Sequence, residues 1–371
     1  MNIRSIWIEV TTRCNLNCTI CGKDKNGRDM SIELFTKIAD QCVSKAEEVN
    51  ITGVGEATIT KHFHEMCSLV LNKYNKRLIM ITNGQQLNID DRLLDLLIHD
   101  NVHLVFSIDG IGNTYEKIRV GAKWSNLIEV ITKINIIRRK RNSKLKLAAN
   151  FCLNRANMFQ LQDIIKKASL EWKFDYLCVI LLQPWFKNIK FFKENSPIFF
   201  MEETNAVLEN AEKIARNVGL EIILPDKFDL EKKKNKTLAL QAFNKSINLF
   251  RQIKWSIRNT PVKYFYKFPN LIFFKFPGLY RFFYDIIRVR RISCNVPFER
   301  LFFRVGGEVT PCCALNNYVI GSLLNSSVDN ILRSLRYQTM VNNISKGYLP
   351  IECFKCQLSI GINKGNPNKQ V

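Results

Sequence analysis

Apolar residues recur along this chain in two alternating rhythms. Short runs such as Ile6-Trp7-Ile8-Glu9-Val10 and Arg77-Leu78-Ile79-Met80-Ile81 read as strands, and similar runs span 48–52, 102–108, 145–153 and 174–182. Between them, apolar positions fall three or four apart. In the first such stretch, from Ser31-Ile32-Glu33-Leu34 to about residue 46, Ile32, Phe35, Ile38, Ala39 and Cys42 share one face and Ser31 is placed to cap the free amides. Further helices are predicted over 62–74, 89–99, 124–141 and 158–170. Regular strand–helix alternation argues for an α/β fold of parallel strands joined by right-handed crossovers. Six such units with polar motifs at the strand C-termini fit a (β/α)6 barrel or part of one. A doubly wound open sheet is the competing architecture, because the pattern alone does not close a barrel.

One strand departs from the rule. Asn150, Cys152 and Asn154 alternate with Phe151 and Leu153, so one face is polar, which is unusual for a strand covered on both sides. Asn150 is therefore a candidate for a cofactor ribose or substrate contact, against the plainer reading of a satisfied core asparagine. Cys152 reads as an inert buried thiol before a radical or proton relay. Cys42, Cys67 and Cys178 fall on packing positions, and the four histidines show no ligand spacing with cysteines.

The chemistry begins directly after the first strand, in Cys14-Asn15-Leu16-Asn17-Cys18-Thr19-Ile20-Cys21. Three thiols at these spacings can converge if a loop wraps one centre. A structural zinc or electron-transfer cluster takes four ligands, so three leave one coordination position for a bound molecule. A disulfide framework and a zinc site with a fourth ligand from elsewhere are the alternatives.

This loop resembles the Cys-x3-Cys-x-aromatic-Cys signature of the radical S-adenosylmethionine (radical SAM) enzymes, with Ile20 in the aromatic position. The resemblance implies that Cys14, Cys18 and Cys21 hold a 4Fe-4S cluster whose fourth iron is chelated by S-adenosylmethionine. It extends to the strand ends. Gly53-Val54-Gly55-Glu56 is similar to the family's glycine-glycine-glutamate element, with Ala57 in place of the usual proline, which makes Gly55 and Glu56 expected cofactor contacts. Asn83 in Thr82-Asn83-Gly84, and Ser107 and Asp109 in Ser107-Ile108-Asp109-Gly110, stand where related sequences carry similar groups. Arg119 matches an arginine that could fork onto the methionyl carboxylate; a surface arginine is the plainer reading.

The pattern changes after residue 182. A helix is expected over 201–218 and a short strand over 220–224, followed by Lys232-Lys233-Lys234 and a basic, aromatic stretch closed by Arg288-Val289-Arg290-Arg291. Three readings compete for it: a lid on the barrel, a contact with an anionic membrane, or, less favoured, a nucleic-acid surface. A hairpin from Leu301 to Cys312 and a helix from about Val328 lead to Cys353-Phe354-Lys355-Cys356. Pro297, the glycine-x4-cysteine at Gly307 to Cys312, and Ile320-Gly321-Ser322-Leu323 resemble the SPASM extension. That resemblance implies one auxiliary 4Fe-4S cluster on Cys294, Cys312, Cys353 and Cys356, with Cys313 the lesser candidate. The expected units are a radical SAM core over 1–185, a linker with the basic aromatic insertion over 186–291, and a SPASM-like domain over 292–371.

Composition refines this picture at three points. The 371 residues, 46% hydrophobic, suffice for a real core and exclude wholesale disorder. Twelve cysteines without an export signal point to a reducing compartment and to metal, so a cytoplasmic location is expected, with peripheral contact on the inner membrane face as an option. The formal charge of +22 draws anionic partners without choosing among them. The resemblance implies that SAM is cleaved reductively to a 5′-deoxyadenosyl radical, with flavodoxin or ferredoxin as electron donor. The auxiliary cluster would take up an electron, making the net reaction an oxidation or cross-link by an oxidoreductase. The substrate expected is a small molecule, phosphorylated or lipid-linked, or else a peptide; the peptide ranks lower because no leader-binding domain precedes the first strand. A non-catalytic metal-binding adaptor for nucleic acid is the alternative from another class.

Overall fold

The computed structural model describes residues 3–22, 27–87, 90–182, 189–228, 230, 296–312, 318–346 and 348. Strands and helices alternate as the periodicity predicts: β1 (Ser5–Ile8), α1 (Ile32–Cys42), β2 (Glu48–Ile51), α2 (Phe63–Ser68), β3 (Arg77–Thr82), α3 (Asp91–Leu97), β4 (Val102–Ser107). Next come α4 (Asn113–Ile118), α5 (Trp124–Lys140), β5 (Lys146–Leu153), α6 (Leu161–Leu170), β6 (Tyr176–Leu181), α7 (Ile189–Asn195), α8 (Met201–Val218) and β7 (Glu221–Ile223). Helix starts follow local chemistry. Ser31 Oγ accepts from Leu34 N before α1, and the Asp90 carboxylate accepts from Arg92 N and Leu93 N before α3. The helix expected over 62–74 is α2 continued by a single wider turn at Leu69–Lys73. Helix α4 was not foreseen, since six residues with two buried side chains, Tyr115 and Ile118, give too short a period to read.

β1 to β7 pair in sequence order and all in parallel, without a reversal of direction through the sheet. A doubly wound sheet would reverse its order at a switch point. Barrel-type winding puts the crossovers on one side, and one sheet face is accordingly sealed: Ile8, Ile51, Met80, Phe106, Phe151 and Leu177 are at most 1% exposed. The opposite face is only partly covered. Trp7, Ile79, His103, Ser107, Asn150 and Tyr176 on it are all intermediate in exposure. That explains the polar alternation of β5, because Asn150 and Cys152 look into the open concavity of a partial barrel.

The C-terminal segment joins the same sheet. β8 (Arg300–Phe303) runs parallel to β1, with Ile8 opposite Phe303. It forms the expected hairpin with β9 (Glu308–Thr310), which in turn pairs with β10 (Gly321–Ser322). Gly307 turns the hairpin at φ +82, a conformation that side chains disfavour. Helices α9 (Val328–Arg333) and α10 (Leu335–Ser345) follow, each capped by a serine, Ser327 and Ser334. Among the described residues no helix is long and apolar enough to cross a membrane.

Candidate active site

The polar residues singled out in the sequence gather at the C-terminal ends of β1 to β5. The loop carrying Cys14, Cys18 and Cys21 leaves β1 and lies over the end of α4, where Asn17 N donates to Val120 O (2.8 Å) and Thr19 N to Ile118 O (2.9 Å). Its base is closed by Arg13, whose guanidinium pairs with Asp29, and by Thr11 Oγ1, which donates to the same carboxylate at 2.6 Å. All three cysteines are outside any disulfide and half-buried. Burial pushes the Cys18 thiol up to about 11, while the Arg119 cation pulls it back and Cys21 and Cys14 add to the rise. Among the described residues no three His, Cys, Asp or Glu side chains converge as closely as a bound metal ion would draw them. The loop thus carries three thiols that are not drawn together into a closed site.

The Gly53–Glu56 loop is packed directly against this base. A Cβ on Gly55 would stand 2.3 Å from Arg13 O and 2.5 Å from Thr11 O, so only glycine lets the two backbones approach. Glu56 N donates to Arg13 O (2.8 Å). The Glu56 carboxylate, 4% exposed, is saturated by the chain itself: Thr58 Oγ1 and Thr82 Oγ1 donate at 2.7 Å and Asn83 N at 2.8 Å. Asn83 Nδ2 in turn donates to Asn15 Oδ1 (2.8 Å), clamping the cysteine loop to the end of β3.

Asp109 and Arg119 meet each other. Arg119 Nη2 lies 2.6 Å from Asp109 Oδ2, with side-chain exposures of 14% and 1%. Asp109 Oδ1 accepts from Cys152 N at 2.6 Å, so the carboxylate ties the ends of β4 and β5 together. Burial works against the Arg119 cation, and the charge of Asp109 outweighs it, holding Arg119 above its ordinary value. The Nε of Arg119 is buried without a hydrogen-bond partner, so this guanidinium retains donor capacity beside Cys18. Ser107 and Asn150 are paired in register on neighbouring strands and half-exposed on the concave face. Cys152 and Cys178 are buried, and burial raises both thiols, consistent with packing roles.

Two arrangements were missed in the sequence. Asn154 and Asn157 lock the turn after β5: Asn154 N donates to Asn157 Oδ1 (2.8 Å), and Asn157 Nδ2 donates to Cys152 O (2.9 Å) and Asp109 O (3.1 Å). Their three-residue spacing after a strand was the available signal. Glu9, 1% exposed, accepts from Val54 N (3.2 Å) and stands 3.4 Å from Arg304 Nη2. A charge at the end of an otherwise apolar strand should have drawn attention. Of the expected auxiliary ligands, Cys312 is half-buried at the end of the β9 segment, whereas Cys294, Cys353 and Cys356, with Cys313, lie outside the described residues. The basic aromatic stretch over 231–291 does too.

Comparison with known proteins adds two family matches. The Radical SAM superfamily model matches residues 8–142, and the SPASM iron–sulfur cluster-binding domain model matches 294–357. Curated relatives include the sporulation killing factor maturation protein SkfB of Bacillus subtilis, 27% identical over 173 residues (44% of this chain, 39% of that protein). The PqqA peptide cyclase of Bradyrhizobium diazoefficiens is 24% identical over 242 residues (62% and 60%). The tungsten-containing aldehyde ferredoxin oxidoreductase cofactor-modifying protein of Pyrococcus furiosus is 33% identical over 126 residues (32% and 34%). The chain thus spans between about a third and three fifths of these relatives' lengths. Among solved structures, Streptococcus suis SuiB bound to the precursor peptide SuiA superposes with a TM-score of 0.60 at 13% identity, over 90% of this chain and 65% of that one. The anSMEcpe protein with bound AdoMet gives 0.55 at 14%, over 97% and 85%. At these identities the likeness establishes the fold, a partial TIM-like barrel.

Proposed function

We propose that the chain, which matches the Radical SAM superfamily model over residues 8–142 and the SPASM model over 294–357, is a radical S-adenosylmethionine enzyme that modifies a peptide. The cofactors this reading implies are a 4Fe-4S cluster, an auxiliary cluster and S-adenosylmethionine. The donor set suits them. Three thiols outside any disulfide sit on one loop pinned over α4, beside a buried cation with an unused donor, and thiolate is the form that binds iron. That juxtaposition carries the reading. When bound, the cluster and SAM supply a 5′-deoxyadenosyl radical that removes one hydrogen atom from the substrate.

The chain's own residues act around this chemistry. Cys14, Cys18 and Cys21 ligate iron, and Asn83 fixes their loop through Asn15. Glu56 and Asp109 have both carboxylates committed to protein donors. Their part is therefore to set the backbone around the cofactor, with the Gly55 amide side and the spare Arg119 donor as the direct contacts. Ser107 and Asn150 offer open polar groups on the concave face for ribose or substrate. Cys294, Cys312, Cys353 and Cys356 would hold the auxiliary cluster, which would supply an electron acceptor for a net oxidation or cross-link of the substrate. Reducing equivalents come from a flavodoxin- or ferredoxin-type donor. The peptide is favoured over a small molecule by the relatives, since SkfB and PqqA peptide cyclase are named for peptide maturation and SuiB is seen with a precursor peptide.

Anaerobic reconstitution tests the reading. Wild-type protein should hold about eight iron per chain and release 5′-deoxyadenosine from SAM under reduction. Replacing Cys14, Cys18 and Cys21 together by alanine should remove about half of the iron and abolish release. Continued SAM cleavage by that variant would refute the assignment, and two bound zincs in place of iron would favour a metal-binding adaptor.

A further inference from the structure

We infer that Glu9 is a positioning residue that couples the hairpin leading to Cys312 with the Gly53–Glu56 loop, and that Arg304 is the cation that lets it do so. The inference rests on the proposed role of that loop in holding S-adenosylmethionine.

Glu9 stands where three pieces of chain meet. Its backbone N donates to Phe303 O (2.8 Å), extending the β1–β8 pairing by one residue. Its Oε1 accepts from Val54 N (3.2 Å), and Gly53 lies so close that a Cβ there would be 2.5 Å from Glu9 Cγ. Its Oε2 faces Arg304 Nη2 at 3.4 Å, an ion pair without an aligned hydrogen bond. Arg304 is the first residue of the β8–β9 turn, with its N donating to Glu308 O and its O accepting from Gly307 N, both at 2.8 Å. A second contact supports the same junction: Arg28 Nη2, on the far side of the cysteine loop, reaches Glu308 Oε1 at 3.5 Å.

The two charges differ in their freedom. The Glu9 side chain is 1% exposed and that of Arg304 is 21% exposed. A fully buried carboxylate without its cation is costly, and it sheds that cost by moving towards solvent. That movement withdraws the acceptor that Oε1 offers to Val54 N. The position of the hairpin is therefore felt at the cofactor loop through charge compensation, and the link is reciprocal. The glutamine isostere keeps an acceptor for Val54 N and needs no cation.

The experiment measures S-adenosylmethionine affinity by equilibrium dialysis on the reconstituted holoenzyme. Arg304→Met should weaken binding about tenfold, although Arg304 is in the β8–β9 turn and outside the cofactor loop. Adding Glu9→Gln to that variant should restore most of the affinity, and Arg304→Lys should keep it. A residue that merely filled space would not be rescued by removing its partner's charge. Wild-type affinity in Arg304→Met, or no recovery in the double variant, overturns the inference. Should Arg304→Met fail to fold, a folded double variant with near-wild-type affinity supports it, and an unfolded one overturns it. Failure of wild-type holoenzyme to bind S-adenosylmethionine would instead refute the proposed function.

Discussion

At the scale of single residues, the site is a set of mutual commitments rather than a row of independent ligands. Asp109 and Arg119 appear in the sequence as two candidate cofactor contacts ten residues apart, and the structure spends each largely on the other. Breaking a buried pair leaves one charge uncompensated, typically at a cost of about 3 kcal/mol. Asp109→Asn should therefore lower the anaerobic urea-unfolding free energy by about that amount, because its amide would also oppose one of two donors, Cys152 N or the guanidinium. Replacing both partners by Leu and Met should recover much of the loss; if the single and double variants are equally unstable, the pair is not what holds the strand ends. The cysteines, Glu56 and Asp109 were legible as special from residue type and place. Which groups they satisfy was not, since Glu56 meets Thr82 and Asn83 at sequence separations of 26 and 27. Long-range partners of this kind leave no local trace.

At the scale of elements, periodicity located the strands to within a residue or two, because a sealed face must be apolar at every second position. The open face obeys a weaker rule, and β4 shows the consequence. His103 lies on that face with Nε2 buried and unpartnered, its ring edge-on to Tyr176 at 5.4 Å. Burial lowers its pKa from 6.5 to about 4; Lys146 and Arg77 add to the depression and Asp175 opposes it. The folded state thus refuses a proton that the unfolded chain accepts. This stabilisation is whole above pH 6.5 and drains away as pH falls towards 4, by roughly 3 kcal/mol at 1.4 kcal/mol per pKa unit. Urea titrations across that window should show a steeper loss for the wild type than for His103→Phe, which keeps the ring contact without a titrating group. Parallel slopes would mean that His103 protonates freely in the fold. Because the histidine lies towards the N-terminal end of β4, away from the cysteine loop, cofactor loading should not alter the difference.

At the scale of the whole molecule, the C-terminal segment is a continuation of the barrel sheet. The sequence marked 292–371 as a unit of its own, since cysteine spacing and a hairpin pattern are visible locally. That β8 would return beside β1 was not visible, because parallel pairing across almost three hundred residues has no turn to announce it. Backbone pairing from Ser5↔Arg300 to Ile8↔Phe303 makes this edge part of one cooperative structure. Phe303 is fully buried at that seam, and truncating a buried Phe to Ala removes roughly 3 kcal/mol of packing. Phe303→Ala should consequently lower the midpoint of a single calorimetric transition that includes the barrel. Two transitions in the wild type, with only one displaced by the substitution, would show that the cysteine-bearing segment folds apart from the core. A single displaced transition also has a functional reading. The hairpin leading to Cys312 is held at fixed register to the Cys14–Cys21 loop, because β1 pairs with β8 on one edge and passes into that loop at its end.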